Sequence, residues 1–273
     1  MNDSVMAEIR DAFPEALEGS DLVETLVRVT QKTGKKFIMI IDEWDALFRE
    51  AKDNEEIQRE YIAFLRSLFK SNWTDIIFAG AYMTGILPIK KYGNQSAVSD
   101  FKEYTMTQPE PLEEFVGFTE QEVRGLCSET GPAFAELQRW YDGYILGGNT
   151  HIYSPKSVID AVKRKRIGNY WTQSETYESL KLYIEMNFDG LKESIVQMLG
   201  GAHIKVDVET FQNDMREIKS RDNVLTLLIH LGYLAYDFDS SSVYIPNEEV
   251  RREFVRTVTS GKHTCRIEKY NKQ

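Results

Sequence analysis

Asp42 and Glu43 stand side by side at the end of an unbroken apolar run, Phe37 to Ile41, within the stretch KKFIMIIDEWDALF. An aspartate at the end of a hydrophobic strand can orient the water shell of a magnesium ion. A glutamate directly after it can take a proton from an attacking water. The residue types and their order suit hydrolysis of a phosphoanhydride, the chemistry of a Walker B strand. The same pattern also arises by chance, where two acids simply face solvent. Asp45, in the first turn beyond the strand, either helps to hold the ion or caps the following helix; the cap is the reading favoured here. The complementary half of such a site is G-x-x-x-x-G-K-[ST], whose backbone amides cradle phosphates and whose lysine reaches the terminal one. That motif is absent: ahead of Asp42 the only glycines are Gly19 and Gly34, and TGKK lacks an upstream glycine at the required spacing.

The elements that must position these acids are legible from periodicity. Ser20 followed by DLVETLVRVTQKTG reads as a capped amphipathic helix stopped by Gly34. Lys36 to Asp42 reads as a buried strand. In Glu55 to Lys70 the apolar residues Ile57, Tyr61, Phe64, Leu65, Leu68 and Phe69 recur at helical spacing. Asp75 to Ala81 is a second apolar strand, so strand, helix and strand make a βαβ unit and a parallel sheet. FKEYTM, Phe101 to Met106, is a third candidate strand. The expectation is a mainly parallel α/β layer over about residues 20–107, with Asp42 at a strand's C-terminal edge, where ligands gather in open parallel sheets.

Further along, Thr119-Glu120-Gln121-Glu122 has the form of a capping box, and Ser154-Pro155 marks another helix start. Between them RWYDGYILGGNTHIYSP reads as a hinge. Its aromatics Trp140, Tyr141 and Tyr144 could stack a base, but core packing is the preferred reading. KRKR, Lys163 to Arg166, closes a helix, where cations suit the dipole. From Tyr170 the pattern is mostly helical, through SETYESLKLYIEMNF and DGLKESIVQMLGG. It ends in helix, strand, turn at Asp239 to Ser242, strand, and a helix capped by Asn247. That order is the winged-helix arrangement, with its hairpin at Tyr233 to Ile245.

Composition narrows the classes. The chain has 273 residues, 42% hydrophobic and 28% charged, in the range of ordinary globular proteins. Its two cysteines, Cys127 and Cys265, give no disulfide framework, and no apolar run approaches a membrane span. A cytoplasmic protein without a membrane partner is the expectation. A net charge of −10 argues against a large nucleic-acid surface. Only the C-terminal end runs the other way, with Arg251, Arg252, Arg256, Lys262, Arg266, Lys269 and Lys272 against Glu253 and Glu268. A solvated helix face is the plain reading of that run, with a nucleic-acid contact as the minority one. His151, His203, His230 and His263 lie too far apart to announce a metal site.

IIDEWD, AGAYMTGILPIKK, GFTEQEV, WYDGY, YSPKSVI and IPNEEVRREF occur in this order. Together they resemble the AAA-ATPase-like proteins of prokaryotes, P-loop NTPases that usually carry a C-terminal PD-(D/E)xK nuclease-like domain. The resemblance covers roughly Asp21 to Val258. It implies a partial P-loop-NTPase (AAA/ASCE-like) sheet with helices over residues 1–145, a helical and winged-helix-like domain over 146–260, and a basic tail over 261–273. It also implies ATP and Mg2+ as ligands, Asp42 as the magnesium aspartate and Glu43 as the catalytic base. Thr84, in AYMTG, falls where related ATPases place a sensor of the γ-phosphate; a turn residue bonded to its own backbone is the competing reading. Without the phosphate-binding loop the chain reads as a fragment that alone binds ATP weakly and does not turn it over. The alternative is a non-enzymatic regulatory module that uses its winged helix to bind a protein partner, a second copy or DNA.

Overall fold

The computed structural model describes residues 2–14, 21–51, 54–88, 91–92, 95–96, 98, 101–127, 131–171, 184, 187–211, 218 and 220–270. They fold as two compact units, Met1–Glu103 and Tyr104–Gln273. The division falls ahead of the aromatic connector at 139–155, which is internal to the second unit. Ser20 and most of SETYESLKLYIEMNF lie outside the described residues.

The first unit begins with α1 (Asn2–Ala12), α2 (Leu22–Thr33) and β1 (Phe37–Ile41). Asp21 caps α2 by accepting the Glu24 amide at 2.9 Å, and Gly34 closes it in the left-handed region at φ +69°. Next come α3 (Ala46–Glu50), α4 (Glu55–Phe69), α5 (Thr74–Ile77) and β2 (Phe78–Met83). β1 and β2 pair in parallel, Ile38 opposite Gly80 and Ile41 opposite Met83. This is the expected βαβ connection.

Three expectations change. The stretch DIIFAGA divides: Asp75 to Ile77 complete a helical turn, and the strand begins only at Phe78. That turn is held because the Thr74 hydroxyl donates to the Leu68 carbonyl at 3.0 Å, while Ile77 becomes fully buried. Phe101 to Met106 forms no strand; Thr105 instead bridges Gln108 in a tight turn. β1 is buried on one face only. Phe37, Met39 and Ile41 pack on the core, while Ile38 and Ile40 are 72% and 71% exposed.

That core joins α2 to α4 through Leu22, Leu26, Leu65, Leu68 and Phe69. Complete burial of each leucine contributes about 1.5–3 kcal/mol. Trp44, Phe48 and Tyr61 form a tilted aromatic chain, with centroids 5.6 and 6.1 Å apart, that fastens α3 to α4. A short hairpin of β3 (Lys91–Tyr92) and β4 (Gln95–Ser96) follows.

The second unit holds β5 (Phe118–Thr119), α6 (Glu120–Leu126), α7 (Phe134–Tyr141), β6 (Tyr144–Leu146), β7 (Thr150–Tyr153) and α8 (Pro155–Arg164). The strands make an antiparallel sheet in the order β5-β7-β6. The Thr119/Glu122 capping box is formed, and Ser154 caps α8 ahead of Pro155. After α9 (Leu191–Leu199) and β8 (Ile204–Lys205) come α10 (Arg221–His230), β9 (Ala235–Asp237), β10 (Ser242–Tyr244) and α11 (Glu248–Tyr270). β8, β10 and β9 form a second antiparallel sheet. Asn247 caps α11 by accepting the Val250 amide at 3.0 Å. Helix, strand, turn, strand and helix thus follow in the order read from the sequence.

The connector aromatics are core. Tyr141 is fully buried and donates to the Gly168 carbonyl at 2.8 Å, and Tyr144 donates to Gly232 at 2.6 Å. Trp140 lies under the Arg252 guanidinium, 4.2 Å from the ring centroid.

Candidate functional site

The ends of the two parallel strands are tied together before any side chain is considered. The Thr84 amide donates to the Ile41 carbonyl at 2.9 Å, and the Trp44 amide donates to the Thr84 carbonyl at 2.9 Å. These bonds carry the ladder one step beyond β1 and β2 and bring residues 42–45 against residues 84–87. Gly85 is required here. A Cβ on it would come within 2.5 Å of the Trp44 indole and 2.8 Å of the Asp45 carboxylate.

On this frame the Thr84 hydroxyl donates to Asp42 Oδ1, which also accepts the Glu43 amide at 3.0 Å. Asp42 and Thr84 therefore share one edge, the C-terminal edge of the sheet. Glu43 is exposed and adopts φ +51°, in the left-handed region unusual for a residue with a side chain. Its carboxylate faces Arg49, whose Nη2 lies 3.3 Å from Glu43 Oε2.

Asp45 behaves otherwise than read from the sequence. It stands at the N-cap position of α3 but makes no side-chain cap bond. Its buried carboxylate reaches across to the loop after β2 and accepts the amides of Ile86 at 3.3 Å and Leu87 at 3.0 Å. Arg49 Nε donates to the same carboxylate at 3.2 Å. Burial, and secondarily the Asp45 charge, push the Tyr61 hydroxyl above its ordinary pKa.

The donors at this edge are hard oxygens, from Asp42, Glu43 and Thr84. Among the described residues no three His, Cys, Asp or Glu converge to hold a metal by themselves. That donor set suits Mg2+, which keeps most of its waters and takes one or two carboxylates.

Sequence reasoning missed the Asp45–Arg49–Glu43 chain, and it missed an Asp–His pair in the second unit. His151 Nδ1 lies 2.9 Å from Asp142 Oδ2, although the β6–β7 ladder pairs His151 with Ile145. Strand register gave no signal of it, because Asp142 lies ahead of β6 and stands opposite no residue of the ladder. The Asp142 carbonyl also accepts Asn247 Nδ2 at 2.8 Å, so this corner anchors the start of α11.

The first unit is thus α/β, with parallel strands that gather two acids and a hydroxyl at their C-terminal ends. Residues 3–93 match the model of the AAA-ATPase-like family, described as a predicted AAA-ATPase, and over that stretch the chain is similar to that family. No curated protein and no solved structure matches the chain. Among the described residues no helix is long and apolar enough to cross a membrane.

Proposed function

We propose that the first unit carries the acidic half of a magnesium–ATP site, with β1 as the Walker B strand of a P-loop-NTPase-type sheet. The observation that supports this most is the hydrogen bond from Thr84 to Asp42, which couples the ends of adjacent parallel strands. Asp42 would hold magnesium through its waters, and Thr84 would report on the terminal phosphate through the hydroxyl it now gives to Asp42. Glu43 would accept a proton from the attacking water. Bound magnesium would supply the positive charge that offsets the phosphates at this acidic edge.

These 273 residues contain no glycine-rich phosphate loop with its lysine. The chain by itself therefore binds Mg·ATP weakly and does not turn it over, because most phosphate affinity in such sites comes from that loop. Amide NMR with millimolar Mg·ATP tests this reading. Shifts should centre on residues 41–45 and 83–87 and vanish in Asp42→Asn, with no phosphate released above background. Submicromolar binding, or shifts confined to other residues, would overturn it.

The second unit supports a reading of its own. Residues 221–270 follow the winged-helix order, and the last helix presents Arg251, Arg252 and Arg256. All three are already engaged, with Glu248 at 3.9 and 3.2 Å and with Glu253 at 3.2 Å. The net charge of −10, together with the in-helix partners of these arginines, favours a protein-binding module over a DNA reader. Fluorescence anisotropy with labelled duplex DNA should show no binding at micromolar protein and physiological salt. Tight, salt-dependent binding would reverse the preference.

A further inference from the structure

We infer that Asp45 and Arg49 are a positioning pair that holds the Glu43 carboxylate, Asp45 as the fixed anchor and Arg49 as the arm. The inference rests on the reading of Asp42 and Glu43 as the acids of a magnesium site, and it adds how one of them is restrained. Two carboxylates compete for one guanidinium, and their surroundings differ sharply. The Asp45 side chain is 1% exposed and also fixed by the Ile86 and Leu87 amides, whereas that of Glu43 is 64% exposed. A buried, charge-assisted bond persists, while an exposed ion pair contributes little and exchanges easily with water.

The guanidinium is therefore held at its Nε end and makes a weak, replaceable contact at Nη2. The planar fork of arginine allows this double contact; a single ammonium has no equivalent geometry. Two consequences follow. The Glu43 side chain is kept on the Arg49 side of its turn rather than free at the strand edge. Its negative charge is also partly offset, which lowers the pull of the acid pair on a cation. A bound cation must win Glu43 from Arg49, so the pair acts as a restraint on metal entry. Through Asp45 the restraint is connected to the loop that carries Thr84.

Titration of the isotope-labelled chain with Mn2+, read as paramagnetic broadening of the backbone amides, tests this. In the wild type, broadening should centre on Asp42 and Glu43 at millimolar Mn2+. Arg49→Ala should tighten that binding by about three- to five-fold, the size expected from releasing the Glu43 carboxylate from one exposed ion pair. In a Glu43→Gln background the same Arg49→Ala change should alter binding by less than about two-fold, because the released carboxylate is no longer there. Arg49→Met, which keeps the apolar stem against its neighbours, should repeat the effect and serves if the alanine variant is poorly folded. An unchanged or weakened affinity in both arginine variants would overturn the inference while leaving the metal reading intact. So would a tightening that persists undiminished with Glu43→Gln, since that would reflect net charge alone. An absence of broadening near Asp42 in the wild type would instead overturn the metal reading, and the inference with it.

Discussion

Glu43 occupies a backbone conformation that favours glycine, φ +51°, and bears a side chain there nonetheless. Backbone strain of this kind costs on the order of 1 kcal/mol and persists where a side chain is required. Glu43→Gly should therefore raise unfolding stability by about 0.5–1 kcal/mol, after allowance for the weak Arg49 contact, as read by urea denaturation. A loss of stability would show that the turn is not strained. Gly85 makes the opposite case. Gly85→Ala drives a methyl into the Trp44 ring and the Asp45 carboxylate, and should cost about 1–3 kcal/mol. Its expected signature is a shifted Trp44 environment in fluorescence together with the lower midpoint.

Among the elements, the loop after β2 depends on one buried carboxylate more than on its own residues. Asp45→Asn keeps the shape but weakens two amide bonds and strands Arg49, a loss of about 2–3 kcal/mol for buried bonds to a charged group. Hydrogen exchange at Ile86 and Leu87 should quicken at least ten-fold, while amides in the middle of α4 follow only the global stability. Unchanged exchange at these two amides would deny Asp45 its local role. In the second unit α11 is held in a comparable way. Glu249 accepts the Tyr170 amide at 2.7 Å, the Trp171 amide at 3.1 Å and the Ser157 hydroxyl at 2.7 Å. Asn169 donates to Glu253 one turn further along, at 2.7 Å. Carboxylates thus fasten the last helix to the loop after α8.

At the scale of the whole molecule, two desolvated groups set opposite trends with pH. Desolvation lifts the Glu249 carboxyl above its ordinary value of 4.5, despite the hydrogen bonds that favour its charged form. A raised acid contributes most below its unfolded pKa and loses that contribution as pH rises. Glu249→Gln should therefore gain stability near neutrality: its oxygen can accept both amides and its nitrogen can donate to Ser157. His230 works the other way. Its imidazole packs beside Phe211 with centroids 5.6 Å apart, and burial brings its pKa down from 6.5 to about 4. The neutral form is the folded one, so stability is intact above pH 6.5 and falls as pH drops toward 4, by up to about 3 kcal/mol. Thermal melts of His230→Leu between pH 7 and 4 should lose that decline. A decline as steep as that of the wild type would place the acid sensitivity elsewhere.

Whatever depends on near neighbours was legible in the sequence. The Thr119/Glu122 box, the Ser154-Pro155 start and the Asn247 cap each close within three residues, so the bond and its motif are the same object. Apolar spacing likewise marked α4, and the order strand–helix–strand implied the parallel pair and put Asp42 just past a strand. Tertiary structure decided whatever joins distant residues. Asp45 looked like a cap from local position, yet its partners at Ile86 and Leu87 lie 41 and 42 residues away. Only the parallel register of β1 with β2 could bring them together. The same closure put Thr84 on Asp42 and left Arg49 between Asp45 and Glu43. The one-sided burial of β1 was hidden for a related reason: Ile38 and Ile40 are as apolar as Met39 and Ile41. Composition alone does not say which face of a strand has something packed against it.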